Sequence, residues 1–114
     1  MLAQHWVEGQ YDIDKMVTIQ GVVTKMEWLN PHARLWVDTS NADGTVSSWE
    51  MELPAPNALK IRNVGIDFVK QGDQVTVNLW RAKDGSRLGS ALTLTTPDGR
   101  VLNFPRWGMP ANSK

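Results

Sequence analysis

Apolar and polar positions alternate with a period of two along most of this chain, which is the pattern of half-buried strands. Residues Lys15 to Glu27 are dense in β-branched side chains. Val17, Ile19, Gly21 and Val23 share one face, and Thr18, Gln20, Val22 and Thr24 share the other. The run is long for a single strand. Gly21 at its middle predicts a bulge or coil that lets one strand serve two sides of a small barrel. Leu29-Asn30-Pro31-His32 interrupts the pattern, because Pro31 has no N–H to donate and biases Asn30 toward extended geometry. Residues 33–39 alternate again, with Ala33, Leu35 and Val37 inward and Arg34, Trp36 and Asp38 outward. Asn41-Ala42-Asp43-Gly44 predicts a hairpin turn with Gly44 at positive φ. The return strand, Thr45 to Leu53, sets Trp49, Met51 and Leu53 against Val46, Ser48, Glu50 and Glu52.

Pro54-Ala55-Pro56-Asn57 closes that strand, and Asn57 is read as the N-cap of a short helix over Ala58 to Arg62. Asn63 and Gly65 are stop signals. A fourth strand follows Gln71-Gly72-Asp73 and runs Gln74 to Arg81. After the turn Lys83-Asp84-Gly85-Ser86 comes a fifth strand, Ser90 to Thr96. Pro97-Asp98-Gly99 turns into a last short strand, Arg100 to Phe104. A long coiled first strand and a helix between strands three and four predict an all-β fold. It is an OB-fold-like small β-barrel of five to six strands. A β-sandwich is the alternative, but it does not predict a helix at that position. The expected organisation is an N-terminal arm over 1–14, the barrel over 15–104 and a C-terminal tail over 105–114.

Composition narrows the function. The chain has 114 residues, 41% hydrophobic, with no cysteine, which excludes disulfides, thiolate nucleophiles and cysteine-held zinc or iron–sulfur centres. Twelve basic and twelve acidic residues give a formal net charge of zero. A nucleic-acid or anionic-membrane binder usually carries a basic excess, so nucleic acid is not expected as a partner. No apolar run is long enough to cross a bilayer, so membrane insertion is not expected. Six tryptophans against two phenylalanines and one tyrosine are the unusual count.

Three stretches carry a family resemblance. Val17-Thr18-Ile19-Gln20-Gly21-Val22-Val23-Thr24-Lys25-Met26-Glu27-Trp28 leads into Asn30-Pro31-His32-Ala33. Lys70-Gln71-Gly72-Asp73-Gln74-Val75-Thr76-Val77 and Leu94-Thr95-Thr96-Pro97-Asp98-Gly99-Arg100 follow downstream. Together they resemble the bacterial DUF6152 proteins over residues 5–104, and Asn-Pro-His-Ala after a Glu-Trp strand end is the most specific piece. The resemblance implies a small exported protein, periplasmic or secreted, with Met1 standing where a leader was cut. It implies no catalytic residues. Members often begin the mature chain with a His-His pair, and here Gln4-His5 stands in its place.

The residues offer three kinds of chemistry. Trp36 shares an outward face with Arg34 and Asp38, and strands two and three carry the usual ligand surface of an OB barrel. The expected ligand-binding set is therefore Trp28, Asn30, His32, Arg34, Trp36 and Trp49. Stacked rings with a guanidinium beside them suit bases, sugar rings or flat apolar ligands. Core filling is the competing reading for Trp28, Trp49 and Trp80. The second chemistry is metal. His32 with Glu50 or Glu52 could form a mixed site. If processing exposed Ala3, Ala3-Gln4-His5 would offer copper or nickel a square-planar nitrogen set. No cofactor is otherwise expected. The third is nucleophilic catalysis, for which no Gly-x-Ser-x-Gly, P-loop or dinucleotide fingerprint exists. These observations favour a non-enzymatic binding module for a small molecule or protein partner. Metal handling through His5 and His32 is the first alternative, and a single-strand nucleic-acid OB surface is the second. Uncovered strand edges and the Trp107 arm allow a homodimer.

Overall fold

The computed structural model describes residues 10–104. Its elements are β1 (Tyr11–Glu27), β2 (Arg34–Ser40), β3 (Val46–Glu52), α1 (Pro56–Ile61), β4 (Gln74–Ala82), β5 (Leu88–Thr95) and β6 (Val101–Asn103). They form one six-stranded sheet in the order β3-β2-β1-β4-β5-β6. Neighbours in that order are antiparallel, and β3 meets β5 in a parallel contact over Glu50–Glu52 and Leu88–Ser90. This short contact curls the sheet back on itself. Closure is partial, and the element order is the expected OB-like one, with α1 between β3 and β4.

β1 serves two partners. Met16 to Val22 pair with β4, and Val22 to Glu27 pair with β2. Gly21 lies where the strand passes from one partner to the other. A Cβ there would collide with the backbone carbonyl of Asp38 and the side chain of Val37, so only glycine admits the approach. The bulge itself is not at Gly21. The register shifts between Val23 and Lys25, leaving Thr24 as the extra residue. That displacement has a physical purpose. Strict alternation from Val17, Ile19 and Val23 would carry Lys25 and Glu27 into the core. The extra residue reverses the parity and sends both charges outward, while Met26 packs on the core.

The inward positions of five strands meet in one core. Leu35, Val37, Met51, Leu53, Val77, Leu79 and Leu94 are completely buried. Burying each large aliphatic side chain is worth about 1.5–3 kcal/mol. α1 seals the core through Leu59, with Val64 and Val69 beside it. The helix begins differently from expectation. Pro56 occupies its first turn, Ala55 is the N-cap without a side-chain bond, and Asn57 is inside the helix. Proline is preorganised for a first helical turn, which outweighs the capping preference of the residue after it. Asn63 ends the segment at φ 62, and Gly44 takes φ 88 in the β2–β3 turn, both as predicted.

A second, smaller cluster lies on the opposite side of the sheet, where Tyr11, Trp80 and Ala82 pack with Leu88 and Leu92. Tyr11 is 1% exposed, so β1 starts four residues before the expected Lys15 and draws part of the expected arm into the sheet. Among the described residues no helix is long and apolar enough to cross a membrane.

Candidate functional site

The outward sides of β1, β2 and β3 bring together most of the residues predicted to bind a ligand. Trp36 sits at the centre, in register with Lys25 on β1 and Glu50 on β3. It is half-buried, and the Lys25 ammonium lies 4.8 Å from its ring centroid, a cation–π contact. Lys25 also pairs with Glu27 at 3.2 Å. Two residues along β2, the Arg34 guanidinium donates to Glu50 at 2.8 Å and stands 3.5 Å from Glu52. Glu52 is also 3.8 Å from the His32 Nδ1. A chain of ionisable groups therefore runs from His32 through Glu52 and Arg34 to Glu50, beside the tryptophan. On the other side of Trp36 the Ser48 hydroxyl donates to Asp38 across the β2–β3 ladder.

Burial along this chain is graded. The side chains of Arg34 and Glu50 are each 36% exposed, whereas Glu52 is 10% exposed because β5 runs alongside it. A carboxylate that withdrawn from water needs its cations. Arg34 therefore fixes the face as well as lining it.

The remaining predicted residues divide. Trp28 is half-buried against the core, and Asn30 is exposed in the loop before β2, where the Asn30–Pro31 peptide is cis. Trp49 does not belong to the outward face. It pairs with Val37, is 7% exposed and packs in the core, with the Arg81 guanidinium 5.1 Å from its ring. Arg81 is held there by the Gly85 and Ser86 carbonyls, so the pair closes one end of the core. The fold does bring His32 to Glu52, as the mixed-site reading required. Among the described residues, however, no group of three or more His, Asp or Glu side chains is suited to hold a metal ion. His5, Trp6 and Trp107 lie outside the described residues.

Lys25 is the member of this face that sequence reasoning missed. Continuing the alternation past Val23 would put it with the core positions, and only the extra residue at Thr24 turns it toward Trp36. The turns around the sheet hold three aspartates whose carboxyls sit below the usual aspartate range. Asp43 accepts from the Thr45 hydroxyl and N–H, Asp84 from Ser86, and Asp98 from the Thr96 hydroxyl and the Arg100 N–H. These bonds favour the ionised form and tie each turn shut.

Comparison with known proteins supports the fold and names a family. The model of a family described as "Family of unknown function (DUF6152)" matches residues 1–91. No curated protein matches. Among solved structures, the crystal structure of the mitochondrial single-stranded DNA-binding protein Rim1 from S. cerevisiae is similar, with a TM-score of 0.52 and 13% identity. The match covers 80% of this chain and 97% of that one. At this identity the likeness speaks to the fold, which is the OB-like one. It corrects the expectation that nucleic acid is not a partner, because a protein of this fold is a single-stranded DNA binder. The physical reason is that net charge is a sum over the whole chain. Base stacking and phosphate contact depend on one face, and a zero sum does not describe any face.

Proposed function

The chain belongs to the DUF6152 family, and we propose that this member is a binding module whose ligand rests on the outward face of β1, β2 and β3. The observation that carries the reading is Trp36, an accessible indole at the centre of that face, oriented by Lys25 and flanked by the Arg34–Glu50 pair. A planar ligand would stack on the indole. Arg34, Glu50 and His32 would supply donors and acceptors at its rim. The loop carrying Asn30 would border it. An exported home, which the family likeness implies, belongs to the same proposal.

One observation favours a specific ligand class, the likeness of fold to a single-stranded DNA-binding protein. In that second reading Trp36 stacks a base, while Lys25 and Arg34 turn from their carboxylate partners toward phosphates. One titration tests both readings. Tryptophan fluorescence would be followed on adding a deoxythymidine oligonucleotide and, separately, a panel of neutral planar heterocycles. A ligand of this face should quench the native protein and leave Trp36→Ala unbound. His32→Ala should weaken it. A binding constant that falls steeply with salt selects the nucleic acid. If every ligand that binds the native protein binds Trp36→Ala and His32→Ala equally well, the site is elsewhere.

A further inference from the structure

The outward side of β1, β4 and β5 is a second surface, away from Trp36 and of different chemistry. In register, one row across the strands reads Thr18, Asn78, Thr93 and Asn103. The adjoining row reads Gln20, Thr76, Thr95 and Val101. None of these positions carries a formal charge, in a chain where 21% of residues are charged. Hydroxyls and amides fill all of them but Val101.

The first row is already ordered. The Thr18 hydroxyl donates to the Asn78 side-chain carbonyl at 2.5 Å, and the Asn78 amide donates to the Thr93 hydroxyl at 2.8 Å. Capacity is left over: Asn78 keeps a second N–H and a second lone pair, and Thr93 keeps its own hydroxyl proton. Side chains fixed in advance lose little further entropy when a ligand arrives. Thr18, Gln20 and Asn103 are exposed, and the central Thr76, Asn78, Thr93 and Thr95 are half-buried. Neighbouring strands lie about 4.8 Å apart, so donors and acceptors recur along each row at close to the length of one pyranose ring.

The absence of charge selects the ligand. An ionic ligand would lose hydration here and gain no countercharge. A neutral chain of hydroxyls would exchange its bonds to water for bonds to fixed partners. Val101, 54% exposed at the end of the second row, offers its methyls to the C–H side of a sugar ring. We propose that this face binds a neutral polyhydroxylated chain, a short oligosaccharide laid across β1, β4 and β5.

The test is a titration of the ¹⁵N-labelled full chain with cellohexaose and, separately, with maltohexaose. The expected result is saturable binding of at least one sugar, with a dissociation constant of about 1 mM. Shifts should centre on the amides of Thr18, Thr76, Asn78, Thr93 and Thr95 and on the Asn78 side-chain amide. Thr76→Lys and Thr95→Lys should each weaken that binding about tenfold or more, with the dispersed spectrum of each variant reporting an intact fold. Trp36→Ala should bind the sugar as the native chain does, so this inference and the reading of the Trp36 face fail separately. Four results overturn it. The first is no shift with either sugar at about 10 mM. The second is shifts that map around Trp36, and the third is unchanged binding in both lysine variants. The fourth is shifts in these rows that grow with protein concentration alone, which would assign the face to a second copy of the chain.

Discussion

The two outward faces of this sheet share a strand and differ in what holds them, ion pairs with carboxylates in excess on one and uncharged hydrogen bonds on the other. Around Trp36, Lys25 is matched by Glu27, and Arg34 by Glu50 and Glu52. Around Asn78 there is nothing to match, since hydroxyls and amides bond to each other. The first face is held by charge pairs that salt, pH or an ionic ligand can rearrange. The second is held by neutral bonds that none of these disturbs. A whole-chain charge of zero describes neither arrangement.

The largest effect is expected from damage to β1, the strand that both faces use. Gly21→Ala places a methyl against the Asp38 carbonyl and should cost about 3 kcal/mol, the upper range of overpacking. Urea unfolding should show a lower midpoint with the slope retained. A loss smaller than about 0.5 kcal/mol would mean that β1 does not pass closely between its two partners.

The faces part company in the next two substitutions. Arg34→Met leaves Glu50 and the nearly buried Glu52 without their cation. The expected loss is about 1–2 kcal/mol, below the value for a fully buried pair because Arg34 is partly exposed. A double-mutant cycle with Glu50→Gln should show a coupling that shrinks in high salt. Asn78→Ala removes two neutral hydrogen bonds and should cost about 1 kcal/mol. That loss should be equal at low and high salt. Salt-dependent destabilisation by Asn78→Ala would erase the distinction between the faces.

The smallest effect lies in the turns that join the strands. The carboxyls of Asp43, Asp84 and Asp98 are lowered in the fold by hydrogen bonds to Thr45, Ser86 and Thr96. Their contribution is complete above the ordinary aspartate value of about 3.9 and is lost as pH falls through the depressed folded values. Carboxyl-carbon NMR titration should place all three below that ordinary value. Any one titrating above it would contradict the turn geometry.

The parts of the fold legible in the sequence are those that depend on local alternation. Leu35 against Trp36 on β2, and Val77 against Asn78 on β4, follow from period two, and the turn at Gly44 follows from its residue type. What escaped depends on a neighbouring strand. Gly21 is required by the carbonyl of Asp38, a residue seventeen positions away in sequence. The extra residue at Thr24 is visible only once β2 is laid beside β1. Trp49 and Trp36 are both strand tryptophans near charged residues. Counting from Met51 and Leu53 had already placed Trp49 with the core positions, so its inclusion in the ligand set went against the alternation itself. Lys25 beside Trp36 is a cross-strand relation with no short-range trace.

The order in which the chain is made gives the shared strand a further consequence. β1, β2 and β3 are consecutive hairpins, and their ladders connect residues near in sequence. The contact of Thr18 with Asn78 spans sixty residues. Closing so long a loop carries a larger entropic cost, and folding rates fall as sequence separation rises. The half of β1 that meets β2 can therefore pair while the other half still waits for β4 to be synthesised. The charged face matures first and the neutral face last. Pulse-labelled hydrogen exchange during refolding should protect the Val37 amide before that of Val77.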